Sequence, residues 1–224
     1  MFKPVTRNTI FRSSPFADNL IASIQRGYAA DFDLSLSKDA RTVKKFYDHQ
    51  QPFQTIDPPI DGHCVLAYIT ETLEEYLHEV PAVLQRFFNA LNIQQLYLLD
   101  FLKTTTDDFP FQNFKKRNDF RRLVGRNIKH GGYLVDAADL SDLLNLFFFS
   151  SLHGRPVIFF IPANGDVLLS IRLCSDGNFH LDFQQQHEGR IHEAARYAGF
   201  TIGDIDLCWD YNLFSYHRRH SLLT

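Results

Sequence analysis

Apolar residues return every three or four positions along some stretches of this chain and every second position along others, and these two periods divide it into elements. Phe16, Leu20, Ile21 and Ile24 predict a helix over Pro15–Arg26, and Val43 and Phe46 a shorter one over Asp39–Asp48. His63–Ile69 reads as a strand, after which Thr70 and a run of acidic residues predict a helix start. Pro81 removes a backbone hydrogen bond from that helix, so one kinked helix or two helices are expected. Beyond it Val83, Leu84, Phe87, Phe88 and Leu91 form a broad buried face. Gln95–Phe101 and Tyr133–Val135 read as short strands, Asn118–Ile128 as a helix stopped by Gly131-Gly132, and Ala138–Ser150 as an apolar helix.

After Gly154 the pattern becomes extended. Strands are predicted over Pro156–Ile161, Val167–Leu173 and Asn178–Phe183, separated by Ala-Asn-Gly-Asp and Ser-Asp-Gly-Asn. Asn-Gly and Asp-Gly accept the positive φ angles of tight hairpin turns. His187–Tyr197 follows as a helix closed by Gly199, and Ile205–Tyr211 as a last strand. The expected fold is α+β: an antiparallel or mixed sheet with a C-terminal three-strand meander, covered by helices. It is read as a single domain over residues 1–224, with residues 1–60 the least regular part and a candidate helical subregion.

Composition adds limits. With 224 residues, 45% hydrophobic, and 22 Phe, the chain can bury a core without a disulfide or metal. Cys64, Cys174 and Cys208 are an odd number, widely spaced, and form no C-x-x-C pair, which argues against both a disulfide framework and a cysteine-based zinc site; no metal and no cofactor are expected. A reducing cytoplasm is the expected location. The start of the chain lacks a signal-peptide h-region, and Leu143–Phe149 and Val157–Ile161 are far shorter than the roughly 18–20 residues that cross a bilayer. No membrane partner is expected.

The net charge of −3 is unevenly placed: residues 115–129 carry seven Lys/Arg and one Asp, leaving −9 elsewhere. On a helix Arg122, Arg126 and Lys129 share one face, a stripe able to meet phosphates or an acidic protein; a solvated outer face has the same pattern. In the expected last strand, Asp204, Asp206 and Asp210 alternate with apolar residues and so share a face. That face suits a basic partner or, with other ligands, a hard cation, although neighbours two apart on a strand are roughly 6.5–7 Å from each other. His187 and His192 are five apart, not four, so they are not the paired histidines of a zinc-protease helix. His180 and Asp182 share a strand face and, with His192, are the candidate acid-base residues.

There is no G-x-S-x-G elbow, no phosphate-binding glycine loop and no nucleic-acid motif. The expected function is therefore non-catalytic recognition of another protein, of inhibitor, immunity or adaptor type, through the charged faces. Two alternatives stand beside it: an acid-base or metal-assisted enzyme using His180, Asp182 and the aspartate face, and nucleic-acid binding through the basic helix.

Overall fold

A computed structural model describes residues 2–29, 31–33, 35–48, 60–103, 131–140, 158–174 and 176–210, together with 118, 119, 121, 122 and 144. Along the chain run β1 (Lys3–Thr6), α1 (Arg7–Ser13), α2 (Pro15–Ala29), α3 (Ser37–Phe46), β2 (Gly62–Ala67), α4 (Leu73–Ala90), β3 (Gln95–Asp100) and β4 (Gly131–Asp136). β5 (Ile158–Pro162), β6 (Leu169–Leu173), β7 (Phe179–Phe183), α5 (Glu188–Ala198), β8 (Thr201–Gly203) and α6 (Asp206–Asp210) complete it. The class is α+β: one open sheet of eight strands, ordered β1-β4-β3-β5-β6-β7-β2-β8, with every neighbouring pair antiparallel.

Side chains alternate across each strand, so the sheet has two buried faces. On one, Leu66, Leu98, Phe160, Ile171 and Leu181 pack against α4, through Val83, Leu84, Phe87 and Phe88, and against α5, through Ile191, Ala194 and Ala195. On the other, Tyr97, Leu99, Phe159 and Ile161 meet Ile10, Phe16, Leu20, Ile21 and Val43 from the three N-terminal helices. Those helices therefore cover the β3–β5 side of the second face. The β6-β7-β2-β8 side presents polar residues.

Local chemistry sets the element ends. α4 begins where Thr72 Oγ1 accepts the Glu75 N–H at 3.1 Å and Glu75 Oε2 accepts the Glu71 N–H at 3.0 Å. It is one helix that contains Pro81, which decides between the two expected forms. α5 ends at Gly199, whose φ of +102° is a conformation glycine adopts freely. Segments with no counterpart in the sequence reading are β1, α1 and β8.

The N-terminal helices are tied to the sheet by a buried polar group. Arg7 Nη2 donates to Asp48 Oδ2 at 2.7 Å, and its Nη1 donates to the carbonyls of Asp100 at 2.6 Å and Leu102 at 3.2 Å. Gln25 Nε2 donates to the same Asp48 oxygen at 3.0 Å, while its Oε1 accepts the Asp48 N–H at 2.9 Å.

One expected element is overturned. Ile205–Tyr211 is not a strand: α6 occupies Asp206–Asp210. Asp204 Oδ1 accepts the Asp206 N–H at 3.0 Å and the Asp204 carbonyl accepts the Leu207 N–H at 3.1 Å, so a local side-chain turn wins over period-two alternation. Asp204, Asp206 and Asp210 consequently do not form a strand face. Of the helix expected over Asn118–Ile128, residues 118, 119, 121 and 122 are helical; Arg126 and Lys129 lie outside the described residues. Of Ala138–Ser150, Ala137–Asp139 is a 3-10 turn and Leu140 and Leu144 are helical, the rest lying outside. Among the described residues no helix is long and apolar enough to cross a membrane.

Candidate metal centre

The polar part of the second sheet face is built by register. Arg172 opposes His180, His180 opposes Val65, and Val65 opposes Gly203, so these four form one row across β6, β7, β2 and β8. In the next row Ser170 opposes Asp182, which opposes His63. Residues directly opposite in an antiparallel pair point to the same side, and those two apart along a strand do too. Ser170, Arg172, His180, Asp182 and His63 therefore share one face. His63 Nδ1 lies 3.1 Å from Asp182 Oδ1, and its ring centroid is 5.6 Å from that of His180.

Two cysteines join His180. Cys174 follows β6 at the mouth of the hairpin to β7: its N–H donates to the Asn178 carbonyl at 2.9 Å, and Gly177 in the loop has a φ of +88°. Cys208 comes from α6, which packs on β2 and β8. At Gly203 a Cβ atom would stand 3.1 Å from Leu207 Cβ, so glycine is what admits α6 this close to the sheet. Cys208 Sγ lies 3.1 Å from His180 Nε2 and 3.9 Å from Cys174 Sγ, and the three ligand atoms all fall within 4.8 Å of one another. His180 and Cys208 are buried, and Cys174 is half-buried.

The electrostatics suit a metal. Burial, with help from the Arg172 and His63 charges, holds His180 down to about 4, against a weaker opposing pull from Asp182. The ring is therefore neutral at pH 7, the form that binds metals. Burial pushes the Cys174 thiol up to about 12, and Cys208 adds to this. The Asp176 N–H donates to Cys174 Sγ at 3.3 Å, a contact that favours negative charge on the sulfur. A buried thiolate pair needs a cation beside it, and a divalent ion supplies one. The buried Nδ1 of His180 has no hydrogen-bond partner among the described residues. A metal on Nε2 would leave Nδ1 as the ring nitrogen that carries the proton.

One of the separations fits tetrahedral zinc and the others lie within a small adjustment of it. Bonds of about 2.3 Å to sulfur and 2.0–2.1 Å to nitrogen place two sulfurs about 3.8 Å apart and a sulfur and nitrogen about 3.6 Å apart. The observed S–S distance already agrees. The Nε2–Cys208 distance needs to open by about 0.5 Å.

No family model matches this chain, and no curated protein or solved structure matches it. The site is thus read from its own chemistry.

Other candidate residues are placed elsewhere. His192 lies on α5, which covers the opposite sheet face, so the sheet separates it from His180. Asp204 and Asp206 are exposed, the side chain of Asp210 lies outside the described residues, and Cys208 is the residue of this segment seen to approach His180. Arg122 is exposed and pairs with Asp119 at 3.4 Å one helical turn away. Cys64 points into the core of the first face, where burial pushes its thiol up to about 12. Chain spacing argues against a zinc motif only when the ligands are neighbours in sequence. Cys174 and Cys208, 34 residues apart, are brought together by the return of α6 over the sheet.

Proposed function

We propose that this chain is a zinc protein, with Cys174, His180 and Cys208 as ligands and a fourth tetrahedral position taken by water or a substrate atom. The observation that carries the reading is the convergence of two thiols and one neutral imidazole, whose ligand atoms all lie within 4.8 Å of one another. Thiolate and imidazole are ligands of borderline-soft cations, so zinc is favoured over magnesium or calcium. It is the metal-assisted alternative with a different ligand set: His180 is retained, and the aspartates of residues 204–210 are replaced by two cysteines. Three protein ligands with an open position are the arrangement of catalytic rather than structural zinc. A metal there acts as a Lewis acid and lowers the pKa of bound water, while the neighbouring His63–Asp182 pair supplies a proton acceptor on the same face.

Cobalt(II) substitution of the reduced protein tests this. One cobalt per chain is expected, with sulfur-to-metal charge-transfer absorption and the intense visible bands of tetrahedral geometry, both lost in Cys208→Ser. Stoichiometric cobalt without charge-transfer absorption, or unchanged binding in the Cys174→Ser/Cys208→Ser double variant, contradicts the assignment.

A further inference from the structure

The two sulfurs that would hold the metal are also each other's nearest thiol partners, and this gives the site a second chemistry. We infer that peroxide oxidises Cys174 and Cys208 to an intramolecular disulfide and thereby expels the metal, making metal occupancy redox-controlled. The inference rests on the zinc reading above.

Geometry is the first support. The sulfurs stand 3.9 Å apart, and a disulfide needs about 2.05 Å, so roughly 2 Å of approach closes the bond. Both cysteines occupy places able to supply it. Cys174 lies beyond the last residue of β6, beside a loop that turns on a glycine with positive φ, and Cys208 sits on a helix of only five residues. Neither is in a strand ladder. Access is the second support: Cys174 is the one cysteine of the three that is not fully buried, so an oxidant reaches it first.

Cys64 provides the internal contrast. It is held in the β2 ladder opposite Leu181 and points into the apolar core of the other sheet face. The sheet itself separates its sulfur from the other two. Oxidation is therefore confined to one pair among three cysteines.

The chemistry balances with hydrogen peroxide as the two-electron oxidant. The Cys174 thiolate attacks one peroxide oxygen; an S–O bond forms, the O–O bond breaks, and hydroxide leaves, giving the sulfenic acid. The Cys208 thiolate then attacks that sulfur; the S–S bond forms, the S–O bond breaks, and a second hydroxide leaves. Each hydroxide takes a proton from solvent, so peroxide ends as two waters and two thiolates as one disulfide. The metal loses two of its three protein ligands in the process. A dithiol reductant reverses the change and restores the site.

The experiment treats the zinc-loaded full chain with a small excess of hydrogen peroxide in the presence of a chromophoric zinc chelator. Release of one zinc per chain is expected, in step with a loss of about 2 Da in intact mass. Peptide mapping should show Cys174 joined to Cys208 and Cys64 still alkylatable after unfolding. Dithiothreitol and fresh zinc should restore occupancy, and Cys64→Ser should release zinc as the parent does. Zinc that stays bound, or leaves with Cys174 and Cys208 unjoined, overturns the redox inference alone. A reduced chain that never takes up zinc removes the metal reading and the release with it.

Discussion

Replacing Arg7 with methionine isolates the group that fastens the N-terminal helices to the sheet. The side chain is 4% exposed and its partner Asp48 is 13% exposed, so neither charge has much water to return to. Arg7 Nε donates to Asp48 Oδ1 at 3.2 Å and Oδ2 at 3.0 Å, beside the 2.7 Å bond from Nη2. Its Nη1 carries the Asp100 and Leu102 carbonyls. Methionine keeps the apolar stem and removes every donor, leaving, among the described residues, a carboxylate with Gln25 as its remaining side-chain partner and two carbonyls without their guanidinium. Breaking a buried pair from one side costs about 3–5 kcal/mol. For a chain of this size that lowers the melting temperature by about 6–20 °C. Urea unfolding followed by circular dichroism measures the loss, and Arg7→Met/Asp48→Met should recover most of it because no unpaired charge remains. A single-variant loss below about 1 kcal/mol would show that the pair behaves as a surface ion pair and refute the reasoning.

Tyr76 donates to the Gly177 carbonyl in the loop beside Cys174, so Tyr76→Phe should cost about 1–2 kcal/mol and weaken zinc binding several-fold in a chelator competition. Gly203→Ala should push Leu207 and α6 away from the sheet; zinc affinity falls, while the urea midpoint changes little. Zinc affinity should rise with pH between 6 and 8 by about tenfold per unit for each thiol proton displaced. Cys174, held up at about 12, is protonated throughout that window and gives up its proton on binding. His180, held near 4, is already neutral and adds nothing to the slope. A pH-independent affinity in isothermal titration would argue against a thiolate ligand.

Much of the architecture was legible. Gly165 and Gly177 adopt positive φ in the two turns where Asn-Gly and Asp-Gly announced hairpins, and strands flank both. The helical periods of α2, α4 and α5 and the strand at β3 were visible for the same reason: each buries a continuous stripe. β1 and α1 were not, because Lys3–Thr6 has little apolar signal and gains its strand form by pairing with β4. At residues 204–210 the alternation of Asp with apolar residues pointed to a strand, and one Asp204 side-chain bond decided for a turn and helix. Of the site, the shared face of His180 and Asp182 followed from strand geometry. The cysteines did not: their meeting depends on α6 folding back across β2, a tertiary event with no trace in local spacing.

The place of β2 in the sheet has a consequence for the birth of the protein. Its neighbours are β7 and β8, and His63 meets Asp182 only after 119 further residues have been made. At ordinary rates of synthesis that is roughly 6–24 s during which both edges of β2, with the apolar run from Cys64 to Ala67, have no partner strand. A ribosome-bound chain stopped before Phe179 would carry β2 as an open adhesive edge, and chaperone demand should fall sharply once the β7 segment clears the exit tunnel. Of the proposed ligands, Cys174 and His180 are made at the end of that wait and Cys208 only after β7 and β8, so the metal would meet its full ligand set only in a chain whose strands have all been made.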